Sequence, residues 1–342
     1  MSATADKLRV GVIGVGWQGE GHLANFTACE RAELTAICDV NAELLAQRAE
    51  AFGVPNTFAD YHDLLACDAV DAVAIVTPDH LHREIAVAAF QAGKHVLLEK
   101  PMATNMADAQ AIADAAHAAK GIGMLNLSNR WMYTFAKGKD LVDSGDVGDI
   151  QYVFARMTNR IDVPTEKLTW LKSSHPAHWI GVHRLDIARW WLGREAVRVR
   201  GVHRKGVLAS QGYDAPDFYQ ATIEFDGGAV MSLEGGWSLP LSHPSIIDSK
   251  FYALCTKGVV DIDRVRSELL VTTADAYQPS TPTAGAALDQ RGGFTFRATR
   301  HFVDCALGGT QPMTTIDDGL ALTRILCAVV ESCEADGKVV EL

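Results

Sequence analysis

The chain has 342 residues, 48% of them hydrophobic and 21% charged, with a formal net charge of −11 at pH 7. That length exceeds what one core usually organises, so two domains are expected, and the acidic balance gives no support to nucleic-acid or anionic-membrane partners. The polar start Met1–Lys7 lacks a leader pattern and no apolar run reaches membrane-spanning length, so a cytoplasmic protein is expected.

In chain order, Leu8 to Ile13 is a short apolar strand followed at once by Gly14-Val15-Gly16-Trp17-Gln18-Gly19 and a segment able to be helical. This strand, G-x-G-x-x-G and helix order fits a dinucleotide clamp. Gly14 permits the tight turn, Gly16 lets the main chain approach a pyrophosphate, and Gly19 lets the helix lie close to the strand. The phosphates would meet the helix's unsatisfied N–H groups, beside Trp17 and Gln18. Asp39 closes a second apolar run, Leu34 to Cys38, about 20 residues beyond the last glycine, where a ribose-binding acid is expected. A loop acid beside the Asn41 helix cap is the plainer alternative for Asp39.

Further strands are expected at Ala72–Val76, His95–Leu98 and Met124–Leu127. Helices are expected at 41–52, 81–92 and 105–120, with Gly53, Gly93 and Gly121 as their stops. Alternation of this kind makes a parallel sheet. After Ser144-Gly145 the pattern changes: 217–225 alternates apolar and polar residues, Asp226-Gly227-Gly228 turns the chain into Ala229–Trp237, and Lys257-Gly258 joins Phe251–Cys255 to Val259–Ile262. Those hairpins, with helices at His178–Leu192, Phe294–Leu307 and Ile316–Asp336, describe an α+β unit; Tyr277–Ala287 reads as a mobile loop. Seven cysteines form no C-x-x-C pair, and an odd count reads as buried reduced thiols.

Candidate chemistry falls at two places. Glu99-Lys100-Pro101 follows the His95–Leu98 strand at the carboxyl edge where open parallel sheets bind ligands, so Lys100 can hold a substrate hydroxyl and relay a proton. On the 178–192 helix, His183 can take the proton of a carbinol as hydride leaves the same carbon, with Asp186 on the same face to orient it. A hydrogen-bonded structural histidine is the alternative. Asn159, Arg160, Asp162 and Trp170 form a polar stretch with an aromatic, able to recognise hydroxyls, and Asn129 and Arg130 follow the 124–127 strand near the expected cleft mouth.

The glycine loop, Thr77-Pro78-Asp79-His80-Leu81-His82, the run from Ala92-Gly93-Lys94-His95 to Glu99-Lys100-Pro101, and Gly181-x-His183-x-x-Asp186-x-x-Arg189-Trp190 together resemble the glucose-fructose oxidoreductase, inositol dehydrogenase and rhizopine-catabolism (GFO/IDH/MocA) family. The resemblance spans nearly the whole chain. It implies an α/β protein with a doubly wound parallel Rossmann domain at 1–127 and an α+β domain at 128–342 with a largely antiparallel open sheet, used for substrate binding and for a homodimer or homotetramer contact. The C-terminal helix would be able to pack back on the first domain. Lys100 would be the catalytic lysine and His183 the acid-base histidine, Thr77 and Pro78 would line the nicotinamide and ribose side with His82 behind them, and Glu99 would lie beside the cofactor.

The implied reaction is hydride transfer between nicotinamide and a hydroxyl or keto carbon of a sugar or cyclitol, with no metal. Asp39 favours NAD over NADP, because a carboxylate at the ribose repels a 2′-phosphate. One position departs from the family: four residues before His183, where an aspartate is usual, stands Trp179. It can offer a flat surface to a sugar ring or simply pack in the core. This leaves a non-catalytic NAD-binding regulator as the rival reading.

Overall fold

A computed structural model describes residues 7–168, 170, 174–264, 269–272, 277–280 and 293–342. Residues 1–6 of the polar start, Thr169, Leu171 and Lys172 of the polar stretch, and 281–287 of the expected loop lie outside the described residues. Backbone packing divides the chain into two units: 1–131 with 287–323, and 132–286 with 324–342. The described residues 293–323 thus belong with the first unit.

In the first unit, strands β1 (Leu8–Ile13), β2 (Ala32–Cys38), β3 (Asn56–Phe58), β4 (Ala72–Ile75), β5 (His95–Leu98) and β6 (Gly123–Leu125) form one parallel sheet in the order β3-β2-β1-β4-β5-β6. This is the doubly wound order that reverses beside β1 and so opens a crevice at the strands' carboxyl ends. The strands are apolar because both faces are covered: Val10, Val12, Ala72, Val73, Ala74, Ile75, Val96, Leu97 and Leu98 are all buried. The connecting helices are α1 (Trp17–Ala28), α2 (Ala42–Phe52), the short α3 (Tyr61–Leu65), α4 (His82–Gln91) and α5 (Met106–Ala118). Asn41 caps α2, its side chain accepting from Leu44 N–H at 3.1 Å, and Gly53 ends that helix with φ +64°.

Gly121 differs from the expected helix stop. α5 ends two residues earlier at an extended Ala119, and a Cβ on Gly121 would lie 2.4 Å from the Lys94 carbonyl oxygen, so glycine is required there by close packing. The helix Phe294–Gly308 lays Ala298, Phe302, Val303 and Ala306 into the core formed by Leu8, Val10, Leu23 and Phe26.

The second unit carries α6 (Tyr133–Asp143), α7 (Val182–Leu192) and the short α8 (Val207–Ser210). Its main sheet comprises β7 (Ile150–Arg160), β8 (Ala196–Arg204), β9 (Phe218–Phe225), β10 (Val230–Leu239), β11 (Ile247–Cys255), β12 (Val259–Asp263) and β15 (Val340–Glu341). The order is β12-β11-β7-β10-β9-β8-β15, antiparallel throughout except for the β7–β10 pair. One face, with Val153, Ala155, Tyr219, Ala221, Met231, Leu233, Phe251 and Ala253, is buried.

Three expectations need correction in this unit. β7 runs on to Arg160, so Asn159 and Arg160 are strand residues rather than loop residues. The first four residues of the expected Tyr277–Ala287 loop form a strand, β14 (Tyr277–Ser280), paired with β13 (Leu269–Thr272). The 178–192 helix opens with a π-helical turn, Ala177–Gly181, before α7 begins. Gly181 closes that turn because a Cβ there would lie 2.1 Å from the Tyr219 hydroxyl oxygen.

The loop after β1 makes the first prediction. A Cβ on Gly19 would fall 2.2 Å from the Gly14 carbonyl oxygen, whereas one on Gly16 meets nothing within 4 Å. Gly19→Ala is expected to cost about 1–3 kcal/mol of stability, as overpacking does, while Gly16→Ala leaves it within about 0.5 kcal/mol; denaturant titration of the two variants checks the contrast.

Candidate active site

The glycine loop and β2 build the nucleotide end of the first unit. Gly14 adopts φ +90°, against the Val76 carbonyl, and turns the chain so that α1 begins at Trp17. No side chain caps α1. A Cβ on Gly16 would meet nothing within 4 Å, so space lies in front of the start of α1, where a helix accepts a pyrophosphate. Trp17 is 51% exposed and Gln18 is exposed beside it. Asp39 accepts Val15 N–H on Oδ2 and Asn41 N–H on Oδ1, each at 2.9 Å. The carboxylate is thus fixed by the loop it serves, and each oxygen keeps a further lone pair for a ribose hydroxyl. The hydroxyl of Thr77, next to the loop, is buried with no partner among the described residues. These features fit an NAD molecule laid across the loop.

At the end of β5 the chemistry becomes ionic. The largely buried Glu99 carboxylate accepts from His22 Nε2 at 2.8 Å, from Asn126 Nδ2 at 2.5 Å and from Lys100 N–H at 3.0 Å. Burial opposes its ionisation, but His22, Lys100 and Asn126 prevail and hold its pKa down to about 2. Lys100, only 6% exposed, follows in a cis peptide with Pro101. Burial pushes the Lys100 pKa down, while the negative charges of Glu99 and Asp79 push back.

The ring nitrogens of the buried His82 face the carbonyl oxygens of Pro101 at 2.8 Å and Thr77 at 3.0 Å, which ties the two loops together. Burial lowers its pKa against the opposing charge of Asp79. Sequence reasoning assigned no role to Asp79, His22 or Asn126. Asp79 is buried, with Oδ2 unpartnered among the described residues, and its place inside the Thr77–His82 motif was the available signal.

Arg130 is held by the C-terminal segment of the first unit. It is 4% exposed in the turn Ser128–Trp131, donates Nη1 to Met313 O at 2.8 Å and sits 3.4 Å from Asp318, fastening the C-terminal segment of the first unit.

The second unit brings together several of its expected residues. Arg160 forks onto Asp162, Nε to Oδ1 at 3.0 Å and Nη2 to Oδ2 at 2.9 Å, and the guanidinium holds the Asp162 carboxyl below its ordinary range. Trp179 packs edge-on to Trp170, with ring centroids 6.0 Å apart, in a cluster with Met157, Val163, Leu168 and Trp237. Because the Val182 N–H reaches back to Ala177 O, the turn between Trp179 and His183 is wider than an α-turn, and the expected alignment of i and i+4 side chains is loosened. Buried polar atoms collect in this unit: Asn159 Oδ1, Trp237 Nε1, His178 Nδ1 and the Tyr219 hydroxyl have no partner among the described residues. Among the described residues no group of three or more His, Cys, Asp or Glu side chains could hold a metal ion, and no helix is long and apolar enough to cross a membrane.

A parallel sheet in dinucleotide-binding order, a glycine loop with an oriented acid, and a buried lysine at the same sheet edge define an NAD-linked oxidoreductase. Residues 8–127 match the model of an oxidoreductase family with an NAD-binding Rossmann fold, and residues 135–261 match the GFO/IDH/MocA C-terminal domain. The chain belongs to the GFO/IDH/MocA family. It is 26% identical over 332 residues to myo-inositol 2-dehydrogenase of Thermotoga maritima, covering 96% of each chain. It is 29% identical to D-glucoside 3-dehydrogenase of Escherichia coli over 72% of this chain and 75% of that one. A solved structure of levoglucosan dehydrogenase in complex with NADH and L-sorbose superposes with a TM-score of 0.84 at 26% identity, over 98% of this chain and 99% of that chain.

Burial lowers the His178 pKa to about 4 and, with neighbouring histidines and Lys205 adding to it, that of His175 to about 3. Below their unfolded pKa near 6.5 the unfolded chain binds protons that the folded chain refuses, so stability is complete above that pH and is lost as pH falls toward 4 and 3. The thermal midpoint is expected to drop between pH 6.5 and 4, with a shallower slope in His178→Gln.

Proposed function

We propose that the protein is an NAD-dependent dehydrogenase acting on a ring or chain CH–OH of a sugar, sugar derivative or cyclitol, with Lys100 and His183 serving the reacting oxygen. The observation that carries this reading is Lys100 itself: a buried lysine at the carboxyl edge of the sheet that bears the glycine loop, with the charges of Glu99 and Asp79 acting on it. The names of the relatives, which act on inositol and glucoside hydroxyls, support the substrate class.

NAD supplies the hydride acceptor. Lys100 holds the substrate oxygen and stabilises its alkoxide character by a charge-assisted hydrogen bond. As the C–H bond breaks, the hydroxyl proton passes to the imidazole of His183, leaving a carbonyl. Asp39 binds the adenosine ribose and excludes a 2′-phosphate; Thr77, Pro78 and His82 shape the nicotinamide side. Asn159, Arg160, Trp170 and Trp179 are the proposed sugar-facing residues, with the two indoles offering apolar surface to C–H faces and the strand residues meeting hydroxyls.

Lys100→Ala is expected to lower turnover by about 10²–10⁴-fold, the span of a positioned proton-transfer group, with NAD affinity nearly intact. Cofactor reduction measured over aldoses, anhydrosugars and inositols tests reaction and variant together; unchanged turnover removes the lysine from the mechanism. Trp179 in the position of an orienting acid favours a second reading, a regulatory protein that binds NAD without turnover. Tight NAD binding with no reduction across that panel would select it.

The same reading includes a cytoplasmic homodimer or homotetramer. On the sheet face opposite Val153 and Ala155, Tyr152 and Phe154 stand in register with Leu254 and Tyr252, and Leu254 is 39% exposed. A second copy covering this face buries that surface. Light scattering is expected to give a multiple of 36.9 kDa, and a monomeric mass at working concentration defeats the assembly.

A further inference from the structure

Two carboxylates, not one, are fastened to the glycine loop and the helix that follows it. Asp39 is held by Val15 N–H. Glu20 lies in the first turn of α1, its own N–H bonded to Gly16 O at 2.9 Å. Its side chain is taken up by a guanidinium from the neighbouring helix: Arg48 donates Nη1 to Oε1 at 3.0 Å and Nη2 to Oε2 at 2.7 Å. The Arg48 side chain is 17% exposed, and its Nε has no partner among the described residues. Glu20 is therefore what fixes the charged end of Arg48.

The origin of Arg48 makes this pair more than a surface contact. α2 starts at Ala42, directly after the Asp39–Asn41 turn. Arg48 is six residues into it, roughly 9 Å along the axis, and helical side chains lean toward the N-terminus. Released from Glu20, the guanidinium extends toward the Asp39 end of the helix. A planar fork of N–H donors is the group best matched to a phosphate.

We propose that the Glu20–Arg48 pair is a second determinant of dinucleotide choice. Glu20 saturates Arg48 and keeps it on α1, so the chain holds a phosphate-binding cation in neutralised form on the helix that follows Asp39. Asp39 repels a 2′-phosphate, and Glu20 withholds the cation that would otherwise attract it. This rests on the reading of NAD as the cofactor and adds to it a residue pair outside the ribose contact.

The test is isothermal titration of the full-length protein with NAD and with NADP, in wild type and in D39A, D39A/E20Q, D39A/R48M and D39A/E20Q/R48M. D39A/E20Q is expected to bind NADP about tenfold or more tightly than D39A does, the worth of a charged hydrogen bond, with NAD affinity within about threefold. D39A/R48M breaks the same ion pair and is expected to gain nothing, so a merely structural effect of losing the pair separates from release of the cation. The triple variant returns to the D39A value. No gain on adding E20Q, or a gain that survives R48M, overturns the proposal. Wild-type protein that binds NADP more tightly than NAD overturns the cofactor reading instead.

Discussion

The Glu99 carboxylate is the constraint on which the carboxyl edge of the first unit's sheet depends. A carboxylate withdrawn from water costs several kcal/mol unless its lone pairs are filled, and here they are filled from three directions: the His22 side chain on α1, the Asn126 side chain just after β6, and the Lys100 backbone. Each donor belongs to a different element, so satisfying one charge fixes the positions of α1, β6 and the loop after β5 together. The glycine loop is the beginning of α1, and the proposed catalytic lysine is the residue after Glu99. Cofactor loop and lysine are thereby referred to the same buried group.

A second layer acts on the same lysine. Asp79, buried in the turn after β4, exerts its field on both Lys100 and His82, and the His82 ring lies between the Thr77 and Pro101 carbonyls. Burial pushes the Lys100 pKa down, and its two negative neighbours, Glu99 and Asp79, push it back up.

The first unit was legible in the sequence because both of its physical signals are local. Continuous apolar runs such as Val73-Ala74-Ile75 and Val96-Leu97-Leu98 report strands buried on both faces, and the glycines at 14, 16 and 19 report backbone geometry directly. Asn41 and Gly53 mark the ends of α2 by equally local chemistry. The second unit obeys longer-range rules. β8 carries Arg198, Arg200 and Arg204 and earns its place by pairing with β9 and β15, not by an apolar run. The π-turn at Ala177–Gly181 depends on Tyr219, about 40 residues away, and Arg130 depends on Met313 and Asp318. Residue type and spacing do not encode such partners, so Asn159 and Arg160 read as loop, and the Met313 and Asp318 partners of Arg130 were not foreseen.

Several polar atoms of the second unit without a partner among the described residues lie near one another on its buried sheet face. Across the buried sheet face, Ser249, Met157, Gly235, Tyr219 and His203 lie in one continuous register row, and Asn159 and Trp237 lie two residues along β7 and β10 from Met157 and Gly235. Ser249 Oγ, Asn159 Oδ1, Trp237 Nε1 and the Tyr219 hydroxyl lack partners among the described residues. Each such group costs about 1–3 kcal/mol when left dry. Tyr219, Trp237 and Ser249 are at most 1% exposed, so ordered water is the group suited to complete them. Trp179 and Trp170 pack edge-on in the apolar cluster beside this face, which is why the proposed function gives the indoles the C–H faces of a ring, and the backbone that carries the proposed His183 is set by α7 and the π-turn that introduces it.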